Sequence, residues 1–429
     1  MPSPQPPRSG GSRRPVSNRR RLVLLLGVLG GIAVPVYFLG LADTAHLGGD
    51  FHAYYAAADA ALAGQPFVGI ETDITGVRYV YPPPAVLLFL PPAALGGWEA
   101  AFLAQTAVNV LAALGVAALA VRTVERHRGR LAAVDRALVT GFCLASAPAL
   151  AVLGLGQVDT LVAFALALAF VAVEADSEGV AGVALGAAAL VKVFPVLLAL
   201  WLAWRRAWRA LAAAVATGVA GLAVGAALFG LDAYRRYVGV LTERSRVAAF
   251  EGTVSPDFFA MTLYRPLSQA LPGIDAAAYA PLAVLAVAPA VGVVLLRDHS
   301  LPDRLATFLV AVAAMVLVSP ASNALYVVYA YYPLVCLCCL DTRVRGEWVL
   351  LAGVLAVAFP VQPAHVDAAL AAAGVPGALA GPVVSTADAV LSVVSVPTLG
   401  LLAVTAWCLG WTARDLRSQA PGVQPSSGD

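Results

Sequence analysis

Charge is what this chain has least of. Only 12% of its 429 residues are Asp, Glu, Lys or Arg, whereas soluble domains carry about 25%. Lysine occurs once, at Lys192. There is no HExxH, no Walker-type phosphate loop, no heptad array and no solenoid period, which removes zincins, P-loop NTPases, coiled coils and repeat proteins. Nothing in the chain resembles a nucleic-acid surface, so no nucleic-acid partner is expected. The five cysteines, Cys143, Cys336, Cys338, Cys339 and Cys408, all lie in or beside apolar runs. No His or carboxylate joins the "CLCC" cluster at ligand spacing, so it reads as small residues inside a membrane helix. No disulfide, metal site or cofactor is expected.

What remains is apolar. Hydrophobic residues make up 60% of the chain, and the mean hydropathy is +0.83. One soluble core cannot hide that much apolar surface, so the class is a polytopic membrane protein. The expected fold is all-α, with about 12 transmembrane helices, as apolar run lengths suggest.

Residues 1–21, "MPSPQPPRSGGSRRPVSNRRR", form a basic tail too polar to bury a core. An uncleaved first span, 22–42, follows it, which places the N-terminus in the cytoplasm. Further apolar runs lie near 98–121, 132–153, 158–174, 179–204, 210–230, 280–297, 305–320, 324–340, 347–362 and 392–411. The intervening "WRRAWR" (204–209), "LRDHSLPDR" (296–304), "DTRVRGEW" (341–348) and "TARDLR" (412–417) are basic and read as cytoplasmic. A single membrane domain, 22–412, therefore lies between two cytoplasmic tails, 1–21 and 413–429, in the cell membrane. The proline-rich "PPPAVLLFLPPAAL" (82–95) allows two topologies. If it crosses, 122–130 lies outside and 179–204 is one long helix. If it re-enters, 122–130 lies inside and 179–204 makes two short crossings around Lys192. The crossing version is the simpler expectation.

Charges in or beside a bilayer are costly and tend to be functional. On the outer side, the first loop carries Asp43, His46, Asp50, His52, Asp59, Glu71, Asp73 and Arg78. The middle loop carries Asp232, Arg235, Arg236, Glu243, Arg244, Arg246, Glu251, Asp257 and Arg265. Early carboxylates and late arginines suit a reaction between an acceptor hydroxyl and a phosphorylated donor: a carboxylate takes the proton, and arginines hold the phosphate. "YYAAADAAL" (54–62) has helical composition and suits an interfacial helix, with Asp50 as its N-terminal cap, a catalytic base, or both. Lys192 either snorkels to an interface or binds a lipid phosphate, and Pro195 can open the helix beside it. Gln157 makes either an interhelical hydrogen bond or a substrate contact.

Six segments, in order, resemble glycosyltransferase family eighty-seven, the polyprenyl-phosphate-mannose-dependent mannosyltransferases of the C-type membrane superfamily. They are "GGDFHAYYAAADAALAGQPF", "YVYPPPAVLLFLPPAAL", "GLGQVDTLV", "ALVKVFPVLLALWLAWRRAW", "TVSPDFFAMTLYRPL" and "LVSPASNALYVVYAYYPL". The last departs from the family pattern: Asn323 replaces the usual tryptophan, and Leu325 and Tyr326 stand where histidines often occur. The resemblance implies a C-type fold and a polyprenyl- or dolichyl-phosphate-linked sugar donor. It also implies a glycolipid or glycan acceptor, and transfer on the outer face with contact to membrane lipid. Asp50 is then the catalytic base. Lys192, Arg265, Gln157, Tyr54, His52, Tyr81, Arg235 and Arg236 are the candidate substrate-binding residues, and mannose is the favoured sugar. A transporter of lipid-linked sugars and a surface-polysaccharide polymerase or ligase are the alternative readings.

Overall fold

The computed structural model describes residues 16–36, 47–74, 76–247, 260–296, 300–320, 322–340 and 346–419. The tail 1–15, Asp43, His46, Glu251, Asp257 and residues 420–429 lie outside the described residues, as do the side chains of Glu243, Arg244 and Arg246.

The described residues are helical, with two isolated bridges, Glu71↔Arg78 and Ala260↔Asn323, and no strand. The core of the bundle is drawn from α1 (Asn18–Gly31), α5 (Trp98–Arg128), α6 (Ala133–Ala145), α7 (Ala147–Leu155), α8 (Asp159–Glu174), α9 (Glu178–Val191), α14 (Leu301–Val318), α15 (Tyr331–Leu340) and α16 (Glu347–Ala358), with Trp201 and Leu202 and the buried Leu401, Val404, Trp407 and Cys408 packed into it. Short α2 (Ala33–Val36), α3 (Gly49–Leu62) and α4 (Leu90–Ala93) precede α5, and α10 (Ala199–Trp204) precedes α11 (Trp208–Val247). Then come α12 (Tyr264–Ala270), α13 (Tyr279–Leu295), α17 (Pro363–Ala372), α18 (Gly377–Val393) and α19 (Val396–Gln419).

Against an expectation of about 12 spans, three helices among the described residues are long and apolar enough to cross a membrane singly, or up to six if each bent pair is one span. Four shorter apolar helices lie among them. Small residues let the helices approach closely, as membrane bundles require. A Cβ on Gly182 of α9 would collide with the carbonyl of Ala210 in α11, and one on Gly186 would lie 2.7 Å from the carbonyl of Ala214. The outer surface carries exposed Leu103, Leu111, Val215, Val219 and Leu285, as a lipid-facing surface does.

The 31 residues of α5 run about 45 Å at 1.5 Å per residue and separate two ends of opposite chemistry. At its last turn Arg128 donates to the carbonyl of Cys339, and Arg20 of α1 donates to that of Cys338 at 3.0 Å. Arg20 also pairs with Glu347 at 2.7 Å, and Arg21 with Asp135 at 2.6 Å. Glu174 takes Arg205 at 3.2 Å and Arg304 at 2.7 Å. At the first turn of α5, Trp98 stacks on His52 of α3, with ring centroids 4.6 Å apart.

This arrangement corrects the crossing version of the topology. That version puts residues 122–130 on the side opposite Arg20, and Gln157 on the side opposite Asp50. Instead, Arg128 lies beside Arg20, and Gln157 is 2.6 Å from Asp50. Residues 82–95 do not form a continuous helix. They make a short 3-10 segment, Pro83–Leu88, and the single turn α4, because five prolines (82–84, 91 and 92) supply no backbone donor. The expected single helix at 179–204 breaks where α9 ends. Lys192 is extended (φ −131, ψ 127), followed by a 3-10 turn, Phe194–Leu198, and then α10. Pro195 cannot donate to the carbonyl of Val191, so the helix cannot continue unbroken.

Candidate functional site

Asp50 reaches its position because glycines let α3 sit against the end of α7. Gly48 takes a left-handed conformation (φ 71) as the N-cap, and its N–H bonds to Gly154 O at 2.7 Å. A Cβ there would meet Trp98 at 2.5 Å. Asp50 is thus not the cap. It sits in the first turn of α3, where the helix dipole favours its charge. Phe51, Tyr54, Ala57 and Ala58, at helical spacing, bury one face of α3, whereas Asp59 is exposed. Phe51 lies against Trp98 and Phe102 (centroids 6.3 and 5.7 Å), and Tyr54 stacks on Phe89 at 4.4 Å.

The Asp50 carboxylate accepts a 2.6 Å hydrogen bond from Gln157 Nε2. Gly156, left-handed at φ 69, ends α7, and a Cβ on it would lie 2.6 Å from that of Phe51. Gln157 follows with both backbone groups used: its N–H bonds to Val152 O at 3.0 Å, and its carbonyl accepts from Asn109 Nδ2 at 2.7 Å. Thr160 in turn donates to Asn109 Oδ1 at 2.9 Å.

Behind Gln157 lies a buried ion pair. Lys192 Nζ is 3.4 Å from Gln157 Oε1 and 2.5 Å from Asp159 Oδ1, and the Tyr329 hydroxyl also donates to Asp159 Oδ1. Asp159 Oδ2 is buried without a hydrogen-bond partner. The Tyr326 ring covers the ammonium at 4.1 Å and the Tyr81 ring at 5.7 Å, distances at which a cation is drawn to a ring face. The Tyr81 and Tyr54 hydroxyls are 2.6 Å apart.

The predicted residues divide accordingly. Asp50, Tyr54, Tyr81, Gln157 and Lys192 form one connected cluster. His52 stands beside it on Trp98, where burial lowers its pKa from the usual value against a weaker raising effect of Asp73. Arg265 is buried in α12, with Nε donating to Ser392 O at 2.9 Å. Its segment is tied to the loop before Tyr326 by Met261 N→Ser322 O at 3.1 Å, and to the last turn of α14 by Leu263 N→Leu317 O at 2.8 Å. Arg235 and Arg236 do not join the cluster. They sit past the Gly230 kink in α11 and face outward, Arg235 in an exposed pair with Asp232 at 2.6 Å. Their neighbours Ala233 and Tyr237 turn inward instead, against Phe67, Val68 and Tyr79.

Four residues of the cluster were missed by sequence reasoning: Asn109, Asp159, Tyr326 as a cover for the cation, and Tyr329. Asp159 carried a signal, a carboxylate two residues past Gln157 at the head of an apolar run. Asn109 and Tyr329 carried none. Among the described residues no three His, Cys, Asp or Glu side chains converge as a metal-binding group.

No curated protein matches this chain. Among solved structures, that of ArnT from Cupriavidus metallidurans bound to undecaprenyl phosphate is similar at 16% identity and a TM-score of 0.43, covering 92% of this chain and 78% of that one. The model of glycosyltransferase family 87 matches residues 79–320, which include Tyr81, Gln157, Lys192 and Arg265. Asp50 lies before the matched stretch but is hydrogen-bonded to Gln157 within it. With more than half of its residues matched, the chain belongs to glycosyltransferase family 87.

Proposed function

We propose that the chain transfers a hexose from a polyprenyl-phospho-sugar to a lipid- or glycan-linked hydroxyl on the outer face of the membrane, by a single inverting displacement. The observation that carries this reading is the half-buried Asp50 carboxylate, held by Gln157 at the end of the bundle opposite the arginine-rich end. Loops rich in arginine favour the cytoplasm, which supports an outward-facing Asp50. A donor anchored by an isoprenoid chain suits a site at the end of an apolar bundle.

In this mechanism the acceptor hydroxyl oxygen attacks the anomeric carbon. Asp50 takes the hydroxyl proton as general base. The bond from the anomeric carbon to the phosphate oxygen breaks with inversion, and the polyprenyl phosphate leaves with its electron pair. Positive charge near the departing phosphate lowers the barrier. Arg265 and Lys192 are the candidates; Lys192 is shared with Asp159, and Arg265 is buried beside the loop leading to Tyr326. Arg235 and Arg236 are exposed on α11 and drop out of this role. Tyr54 and Tyr81 wall the site next to Asp50.

The test uses the purified protein in lipid nanodiscs with polyprenyl-phospho-mannose, -glucose and -arabinofuranose, each radiolabelled in the sugar. Transfer is expected, with mannose the first donor to try. Asp50→Asn should lower turnover by about 10²–10⁴-fold with normal membrane insertion. Full activity in that variant sinks the assignment of the base.

A further inference from the structure

Gln157 was a candidate substrate ligand, but its amide is already engaged at both ends. Nε2 donates to Asp50 Oδ2 at 2.6 Å, and Oε1 faces Lys192 Nζ at 3.4 Å. The residue is 6% exposed. Its backbone is held by Val152 and Asn109, and the left-handed Gly156 before it aims the side chain at α3. Lys192 sets the sense of the amide. An ammonium donates only, so the oxygen must face it and the N–H₂ must face Asp50.

We propose that Gln157 is a positioning residue for Asp50: it fixes the rotation of the carboxylate and does not bind the sugar. This rests on the reading of Asp50 as the base. A donor aimed at a carboxylate favours the charged form and limits the directions in which its second oxygen points. The ionisable and aromatic groups around Asp50 are consistent with that role. On α3 these are His52, stacked on Trp98 of α5, and Tyr54, bonded to Tyr81 from the segment before the 3-10 turn. Behind Gln157 stand Asp159 of α8, Lys192 after α9, and Tyr326 and Tyr329 of the 3-10 segment Ala324–Ala330. Because Lys192 is matched by Asp159, the amide dipole of Gln157 passes on their field rather than a bare charge.

The experiment compares pH profiles of kcat/KM for wild type, Gln157→Glu and Gln157→Leu in nanodiscs. Gln157→Glu keeps the shape but turns an acceptor toward Asp50. Two carboxyl groups at that separation cannot both ionise, so the acid limb should move up by about one pH unit or more. Gln157→Leu should lower kcat and move the limb less. In both, KM for the donor should stay within about twofold, since no ground-state sugar contact is removed. A tenfold or larger rise in KM with an unmoved acid limb would show a sugar ligand and overturn the proposal, as would an unchanged profile in both variants. Isotope-edited infrared spectroscopy of the Asp50 carboxylate, in wild type and Gln157→Leu without substrate, reads the bond independently of turnover. A shifted carboxylate band is expected, and an unshifted band overturns the proposal. If Asp50→Asn is fully active while the band shifts, the base assignment has failed and the bond stands.

Discussion

At the scale of single residues, the Lys192–Asp159 pair is the strongest constraint in the site. Its side chains are 4% and 0% exposed. Removing one partner from such a pair strands a buried charge and costs about 3–5 kcal/mol, whereas replacing both with apolar residues is often near neutral. Asp159→Ala should therefore lower the thermal midpoint sharply in detergent, and Asp159→Leu combined with Lys192→Met should recover most of it. If the pair also serves chemistry, the double variant stays stable but inactive; a stable and fully active double variant would make the pair purely structural. Lys192 was legible in the sequence because it is the one lysine. Its partner was not, because a carboxylate heading an apolar run looks like a helix start. Nothing local says that a residue 33 positions later will reach it.

At the scale of elements, the site depends on where helices stop. α7 ends in left-handed Gly156, and α9 ends in extended Lys192 ahead of Pro195. Together these stops bring Gln157 and Lys192 to one level of the bundle. Gly156→Ala forces a side-chain-bearing residue to φ 69 and sets its Cβ against that of Phe51 at 2.6 Å. Strain of that kind costs roughly 1–3 kcal/mol. The larger effect expected is displacement of α3, so turnover should fall by more than the loss of stability explains. A thermal midpoint and a kcat measured on the same preparation separate the two. The sequence displayed the proline behind the second stop and the helical composition of α3. It did not reveal that Gly48, rather than Asp50, caps α3, because a Gly-Gly-Asp run permits either.

At the scale of the whole molecule, the two ends of α5 divide the labour. One carries Arg20, Arg21, Glu174, Arg205, Arg304 and Glu347 in ion pairs, and the other carries Asp50, Gln157 and Asp159. Sidedness is checked by cysteine labelling, which is clean because all five native cysteines are buried thiols. Single cysteines at His127 and Arg206 should react with an impermeant maleimide only after the membrane is opened, and one at Glu71 should react in intact cells. Labelling of His127→Cys from outside would restore the crossing version of residues 82–95.

The sequence alone determined the class of this protein, its helical make-up, its basic loops and the ordered segments of a glycosyltransferase family. These follow from composition and local pattern, which the bilayer translates directly into helices. The tertiary structure alone decided the path of residues 82–95, which of the two arrangements around Lys192 is adopted, and that Lys192 pairs with Asp159 and Asp50 with Gln157. Those depend on which helix ends meet, and in a chain this apolar many arrangements hide the same greasy surface. A carboxylate, an amide and an ammonium that must satisfy one another permit few.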